Sequence, residues 1–153
     1  MIEIALYQPD IAPNVGTILR LGACLGVAVH IIEPAGFPWS DQRLRRAGLD
    51  YLDHVRIVRH SSYDDFCSAT AGRRQVLLST RASAAYAAFR FRREDILLLG
   101  RESSGVPESV HQRADQRLVI PMRANMRSLN VAVACAMVLG EALRQTRELH
   151  FKS

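Results

Sequence analysis

Apolar and polar residues follow one another along the chain in blocks that predict strands and helices in turn. Short apolar runs rich in β-branched residues predict strands, and longer stretches with apolar residues three and four positions apart predict helices. Pro13 and Asn14 are start signals for the first helix, and Gly26 is a stop signal. The predicted strands are 2–7, 28–33, 55–59, 75–80, 96–99 and 117–120, and the predicted helices are 14–26, 41–47, 63–71, 106–113 and 128–146.

This alternation predicts an α/β fold with a mostly parallel sheet and helices on both faces. The strand at 96–99 is apolar on both sides, which favours a central position. Ligands of such sheets bind beyond the carboxyl ends of the strands. Candidate chemistry is therefore expected in the segments that follow strands, at 8–16, 80–83, 100–107 and 121–130.

Length and composition indicate one globular domain, expected to span residues 1–153. Hydrophobic residues make up 48% and charged residues 23%, which argues against disorder. No apolar run is long enough for a membrane span and no secretory signal is evident, so a cytoplasmic protein without membrane contact is expected. The apolar surroundings of Cys24, Cys67 and Cys135 predict buried, reduced thiols. The five histidines lack metal-ligand spacing, so no metal site is expected.

The cations are almost all arginine. Nineteen Arg and one Lys, Lys152, make up the 20 basic residues, and the formal net charge is +5. Clusters lie at 43–46, 73–74 and 90–93. Arginine forms bidentate contacts with phosphate and stacks on bases, so a nucleic-acid partner is one interpretation. Solvated faces without a partner are the other, and the sequence leaves both open.

The last helix is apolar nearly all round between 130 and 143 and is rich in small residues. A surface helix normally carries a polar stripe. Two interpretations remain open: the helix packs on its own sheet and on a second subunit, or it is buried within one domain.

Three motifs follow strands. In the first, Asn14-Val-Gly-Thr-Ile-Leu-Arg20, Asn14 is a candidate N-cap and Gly16 permits close backbone approach. Arg20 is either a surface side chain whose stem packs on apolar neighbours or a cation at a pocket edge.

The second motif is Gly100-Arg-Glu102-Ser-Ser-Gly-Val-Pro107. It is either a plain strand-to-helix turn or a cradle of backbone groups with the Glu102 carboxylate pointing inward. It matches neither the dinucleotide fingerprint nor a Walker loop, which disfavours NAD and ATP binding. In the third motif, Ile-Pro-Met at 120–122 precedes Ser128 as a candidate N-cap and Asn130 in the first turn of the last helix.

In this order and spacing, the motifs resemble those of the SPOUT superfamily of RNA methyltransferases, and most of all its small tRNA wobble 2′-O-methyltransferases of the TrmL (YibK) type. The first resembles the family's Asn-x-Gly-x-x-x-Arg and the second its Gly-x-Glu-x-x-Gly-x-Pro. The third resembles Ile-Pro-Met followed by Ser-x-Asn. Residues 30–34 and 43–51 also resemble this group, and the similarity covers almost the whole chain.

The resemblance implies a deep C-terminal trefoil knot and 2′-O-methylation of the wobble cytidine or uridine in the tRNA anticodon loop. It implies a homodimer through the C-terminal helix, tRNA as partner, and S-adenosyl-L-methionine as cofactor with S-adenosyl-L-homocysteine as product. By position, the implied cofactor-binding residues are Leu78, Thr80, Gly100, Glu102, Ile120, Met122, Ser128 and Leu129.

The implied catalytic residue is Arg20, which would anchor a phosphate and stabilise the developing alkoxide, with Asn14, Glu102, Ser128 and Asn130 as positioning groups. Three positions depart from the family pattern: Arg101 replaces a proline, Ala132 a serine and Gly140 an aromatic residue. Two alternatives therefore stay open. One is a ribose methylase acting on rRNA or another tRNA position, and the other is a non-catalytic RNA-binding factor of the same fold.

Overall fold

A computed structural model describes residues 1–149, with only the backbone described at 47–49. Lys152 and the end of the predicted domain lie outside the described residues. The strands are β1 (Glu3–Tyr7), β2 (Val29–Ile32), β3 (Ile57–His60), β4 (Arg74–Leu78), β5 (Asp95–Leu99) and β6 (Gln116–Leu118). The α-helices are α1 (Ala12–Leu25), α2 (Asp41–Gly48), α3 (Tyr63–Ala69), α4 (Glu108–Arg113) and α5 (Val131–Thr146), and 3-10 helices lie at Leu49–His54 and Tyr86–Ala88.

The six strands form one parallel sheet in the order β3-β2-β1-β5-β4-β6. The predicted parallel sheet is confirmed. The predicted central strand is also confirmed, because β5 lies between β1 and β4 and is buried along its whole length.

Helices cover both faces of the sheet, as predicted. On one face, alternate strand residues such as Ile4 and Leu97 pack against Ile18 and Leu19 of α1 and Leu139 of α5. On the other face, the intervening residues pack against Phe66 of α3 and Val110 of α4. Parallel strands buried on both sides explain the near-continuous apolar runs of the sequence.

Two capping predictions are wrong. The first helix begins at Ala12 with Ile11 as N-cap, so Asn14 lies inside its first turn. Pro13 fits there because the first-turn N–H groups lack intrahelical partners. The last helix begins at Val131, and Asn130 is its N-cap instead of Ser128. Its Oδ1 accepts from the N–H groups of Ala132 (2.8 Å) and Val133 (3.3 Å).

The three cysteines differ in burial. Cys135 is buried, which raises the pKa of its thiol to about 12. Cys67 is half-buried and Cys24 is exposed, so the prediction that all three are buried is wrong for Cys24. The α1 periodicity places Cys24 on the outer side of the helix, although its neighbours in sequence are apolar. No helix in the described part of the chain has the length and apolar character to cross a membrane.

Candidate active site at the carboxyl ends of the strands

A cleft of about 690 Å³ opens where β4, β5 and β6 end. Its volume lies within the range of roughly 300–1,000 Å³ that is typical of small-molecule sites. Because parallel strands end at the same edge of a sheet, loops that are distant in sequence meet there. All eight positions predicted to bind cofactor line this one cleft: Leu78, Thr80, Gly100, Glu102, Ile120, Met122, Ser128 and Leu129.

Glu102 is at the centre of a hydrogen-bond network on one side of the cleft. Its Oε2 accepts from the backbone N–H of Asp10 (3.0 Å), and its Oε1 accepts from the amide of Asn14 (3.4 Å). The Glu102 N–H donates in return to Asp10 Oδ1 (3.2 Å). Asp10 Oδ2 also accepts from the Ser103 hydroxyl. The start of α1 is thereby tied to the loop after β5.

Asn14 extends this network to the last helix. The Asn130 amide donates to Asn14 Oδ1 at 3.0 Å, while Asn130 Oδ1 caps α5. One asparagine therefore fixes the helix start and contacts the first motif, across 116 positions of sequence. The sequence prediction that Asn14, Glu102 and Asn130 act together is consistent with this geometry, although the caps were assigned to the wrong residues.

The two carboxyl groups of the network have opposite pKa shifts. Burial raises the pKa of Glu102, and the neighbouring Asp10 carboxyl raises it further. The Glu102 side chain lowers the pKa of Asp10, and the hydroxyl of Ser103 acts in the same direction. Glu102 receives hydrogen bonds only from uncharged donors and forms no ion pair with the described residues. Its ionised form is therefore held without a neutralising cation, a feature typical of functional sites.

The loop after β5 is a tight turn that only glycine permits. A Cβ on Gly100 would lie 2.6 Å from the carbonyl carbon of Gly105, and Gly105 has φ +63°. The N–H groups of Arg101 and Gly105 each donate to the other's carbonyl, at 3.0 and 2.9 Å. Arg101 Nε adds a bond to the Gly105 carbonyl, and its guanidinium lies 5.4 Å from the Tyr7 ring centre. The arginine at the expected proline position thus closes the loop through its side chain.

The cleft also offers backbone hydrogen-bond donors. Within residues 1–149, the N–H groups of Ile120, Met122 and Leu129 donate to no protein atom. Together with the side chains of Leu78 and Leu129, they give a mixed apolar and hydrogen-bonding lining. Such a lining suits a neutral heterocycle attached to polar groups. Among the described residues, no three His, Cys, Asp or Glu side chains cluster as metal ligands would.

Two predicted site residues are outside the network. Arg20 is exposed on α1, does not line the cleft, and lies with its guanidinium 4.7 Å from the ring centre of Tyr51. Ser128 lines the cleft without a hydrogen bond to any described residue. The structure thus brings Asn14, Glu102 and Asn130 together, and it does not bring Arg20 to them.

Sequence reasoning missed Asp10. The residue lies within 8–16, one of the segments that were expected to carry chemistry, and an acidic side chain just after a strand was an available signal. Its partners Glu102 and Ser103 are more than 90 positions away, so nothing local in the sequence links them.

An apolar patch adjoins the cleft. Val133 and Met137 on one side of α5 are 49% and 40% exposed, and Met126 and Leu129 before the helix are 66% and 38% exposed. The opposite side of α5, with Cys135, Val138 and Leu139, is fully buried. The predicted packing of this helix on its own sheet is confirmed. Gly140, at an expected aromatic position, has open space around its α-carbon.

Comparison with known protein families gives one match over most of the chain. Residues 1–140 match the SpoU rRNA Methylase family. A relative from Beijerinckia indica, named tRNA (cytidine(34)-2′-O)-methyltransferase, is 65% identical over 148 residues, which is 95% of this chain and 92% of the relative.

Solved structures agree with this match. One, described as giving structural insights into the 2-OH methylation of C/U34 on tRNA, superposes with a TM-score of 0.91 and 44% identity over 95% of both chains. An AdoMet-bound rRNA methyltransferase from Sinorhizobium meliloti superposes with a TM-score of 0.83 at 26% identity, over 94% of this chain and 56% of that one.

Proposed function

The chain belongs to the SpoU rRNA Methylase family and is a methyltransferase, and from this premise we propose that it methylates the ribose 2′-hydroxyl of cytidine or uridine at the tRNA wobble position. The observation that carries the proposal is the cleft, in which the three motifs meet around Glu102, Asn14 and Asn130. The relative from Beijerinckia indica and the solved structure concerned with C/U34 support the choice of tRNA.

We propose S-adenosyl-L-methionine as the methyl donor. The cleft has a suitable volume and combines apolar side chains with backbone donors, and a family neighbour was solved with AdoMet bound. The side chains of Leu78, Ile120 and Leu129 would pack against the adenosine, and the N–H groups of Ile120 and Met122 would donate to it. The cofactor supplies an electrophilic methyl group on a sulfonium centre.

The chemical demand on the protein is to activate a weak nucleophile. The bond from ribose O2′ to the methyl carbon forms as the sulfur–carbon bond breaks, which leaves S-adenosyl-L-homocysteine and a proton. Arginine remains protonated at neutral pH, so Arg20 would stabilise the developing alkoxide and bind the adjacent phosphate, while phosphate or water accepts the proton. Glu102, Asn14, Ser128 and Asn130 would position substrate and cofactor.

Replacing Arg20 tests this assignment. Its guanidinium forms no ion pair with the described residues, so Arg20→Ala should leave the fold and S-adenosyl-L-homocysteine affinity unchanged. Methyl transfer should fall at least about 100-fold, as when one transition-state donor is removed. Arg113→Ala is a matched control, because Arg113 is exposed, pairs with Asp64 and lies outside the cleft. Retained turnover in Arg20→Ala would exclude the assigned role.

Labelled methyl transfer to unmodified tRNA tests the function itself. Total tRNA is incubated with labelled S-adenosyl-L-methionine, digested to nucleosides and analysed by mass spectrometry. A 2′-O-methylated cytidine or uridine supports the reaction, and mapping of the labelled fragment to the wobble position supports the site. Labelling of rRNA or of another tRNA position would contradict the proposed substrate and identify a different one. Absence of both labelling and cofactor binding would favour a non-catalytic RNA-binding factor.

We propose that two copies associate through α5. Val133, Met137, Met126 and Leu129 are apolar and exposed, and Leu129 also lines the cleft. Clusters of exposed apolar residues mark interaction sites. A symmetric dimer would cover this patch on both copies. Met137→Glu should shift the sedimentation coefficient from dimer to monomer, and a wild-type chain that sediments as a monomer would contradict the proposal.

We also propose a single domain with a C-terminal trefoil knot, acting in the cytoplasm on tRNA.

Support for the knot comes from the family and from the sheet order. In that order β6 lies beside β4, while the chain from 120 to 130 returns to the loop after β5. Pulling the termini apart tests it. A knotted chain stretches to less than its full contour of about 3.6 Å per residue. Extension to the full contour would exclude a knot.

A further inference from the structure

Asp10 contacts Glu102, the centre of the hydrogen-bond network beside the cleft, without being part of any of the three motifs. Its carboxylate accepts the Glu102 N–H at 3.2 Å and the Ser103 hydroxyl, and its own N–H donates to Glu102 Oε2 at 3.0 Å. Three hydrogen bonds thus join two consecutive residues of the loop after β5 to one residue after β1. Among the described residues that follow β1, none forms more hydrogen bonds to that loop than Asp10.

The position of Asp10 is itself fixed from the opposite side. Gly36 packs so closely that an added Cβ would lie 2.5 Å from Asp10 Cβ. The Gly36 N–H also donates to the Pro9 carbonyl at 2.9 Å. Gln8, two positions before Asp10, has φ +42°, a left-handed conformation that non-glycine residues seldom adopt. The chain therefore turns sharply after β1 and presents Asp10 to Glu102.

We propose that Asp10 is a positioning residue for methyl transfer, which holds the Glu102 carboxylate and the loop of residues 100–105 in the arrangement that binds cofactor and substrate. The inference rests on the proposed function. Asp10 does not line the cleft, so its effect passes through Glu102 and Ser103, which do. Through Asn14, the same contact reaches the cap of α5.

The two adjacent carboxylates make this arrangement testable by pH. Both Glu102 oxygens accept hydrogen bonds, as suits the ionised form. The Asp10 side chain is one cause of the raised pKa of Glu102, after burial. Replacing the Asp10 carboxyl by an amide should lower the pKa of Glu102 and move the acidic limb of cofactor binding to lower pH. If Glu102 takes no part in binding, that limb stays in place.

Asp10→Asn is the test variant, since it keeps the size and one acceptor while removing the charge. Asp64→Asn is the matched control, because Asp64 is exposed and pairs with Arg113 outside the cleft. Binding of S-adenosyl-L-homocysteine is measured by calorimetry as a function of pH, and methyl transfer to tRNA in parallel. Gly36→Ala, which would displace Asp10 without touching its charge, is a second variant.

In Asp10→Asn the dissociation constant should rise about tenfold at neutral pH, as expected when hydrogen bonds to a charged group are weakened. Its acidic limb should move to lower pH, and kcat should fall. Gly36→Ala should weaken binding while its acidic limb stays closer to that of the wild type. Unchanged binding and an unmoved limb in Asp10→Asn would overturn the inference.

The outcomes also separate this inference from the proposed function. A wild-type protein that binds S-adenosyl-L-homocysteine but does not modify tRNA contradicts the substrate, and the binding series still decides the role of Asp10. A wild-type protein that binds no S-adenosyl-L-homocysteine overturns both. If the wild type is active on tRNA and the Asp10→Asn variant equals it in binding and activity, only the role of Asp10 is overturned.

Discussion

Two glutamates in this molecule are placed in opposite electrostatic surroundings. Glu3, at the start of β1, has a side chain 13% exposed, and it contacts His30 Nε2 at 2.5 Å and Arg73 at 2.8 Å. Burial opposes its ionisation, but the His30 hydrogen bond and the Arg73 charge outweigh burial and lower its pKa to about 2. Burial and the neighbouring Asp10 carboxyl raise the pKa of Glu102, which receives hydrogen bonds only from neutral donors.

The difference separates a carboxylate paired with cations from the carboxylate that we propose to be functional. Around Glu3, cations from different segments converge, and His30 continues to His60 through a 2.8 Å hydrogen bond between Nδ1 and Nε2. That network contributes to folding. Around Glu102, the fold holds a charge without a cation, which does not favour stability. Arrangements of this kind are found where a protein needs a group for binding or chemistry.

Of the changes at the two glutamates, Glu102→Gln should have the larger effect on activity. The amide cannot accept from both Asp10 N–H and the Asn14 amide as the carboxylate does, so the loop should shift. Displacement of site groups by about 1 Å costs on the order of 100-fold in rate, and we expect methyl transfer to fall by that factor. The free energy of unfolding should change by less than about 1 kcal/mol, because the ionised group is not stabilised by the fold.

Steady-state kinetics and urea denaturation of the same preparation check both parts. A Glu102→Gln variant that loses stability but keeps its turnover would show that Glu102 serves stability and not activity.

Glu3→Gln should have the converse effect. The amide oxygen can replace only one of the two carboxylate oxygens, so either Arg73 or His30 loses its acceptor, and a hydrogen bond to a charged group contributes about 2 kcal/mol. Arg56 adds little, because its side chain is 71% exposed and solvent screens the pair. We expect a loss of about 2 kcal/mol in urea denaturation, with kcat retained at temperatures where the variant is folded.

Glu33→Gln is the matched control for Glu3→Gln, because Glu33 pairs with the more exposed Arg59 on the same sheet. An equal loss of stability in both variants would show that burial does not increase the contribution of the Glu3 contacts to the free energy of unfolding.

The pH dependence of stability should also distinguish the two glutamates. The folded pKa of Glu3 is about 2 against an ordinary value of 4.5, so its contribution is complete above pH 4.5 and is lost as pH falls toward 2. The raised pKa of Glu102 gives the opposite sign, since the folded state binds that proton more tightly than the unfolded chain. The unfolding free energy of each variant, Glu3→Gln or Glu102→Gln, is subtracted from that of the wild type at each pH. Plotted against pH in the acidic range, the two differences should have slopes of opposite sign. Parallel slopes would contradict the contrast.

The sequence predicted the scaffold better than the contacts within the site. Strands buried on both faces leave apolar runs that can be recognised directly, and a parallel sheet brings its loops to one edge, so the segments around the cleft could be placed in advance. The individual cofactor-binding positions came from the family resemblance. The hydrogen-bond partners could not be placed in advance. Asn130, which caps α5 in place of Ser128, also bonds to Asn14 across 116 positions, and Asp10 meets Glu102 across 92 positions. Such choices are made by tertiary packing and leave no local pattern.

The smallest expected effect is on tRNA binding, and it concerns a paired and an unpaired arginine of α2. Arg45 is bound by both oxygens of Asp53, at 3.2 and 2.9 Å, whereas Arg46 is exposed and forms no ion pair with the described residues. A free guanidinium can release counterions from a phosphate, so Arg46→Ala should weaken tRNA binding several-fold and reduce the salt slope by about 1. Arg45→Ala should change both less, because its charge is already neutralised by Asp53. Filter binding at several salt concentrations measures both quantities, and equal effects of the two variants would mean that the Asp53 pair opens when tRNA binds.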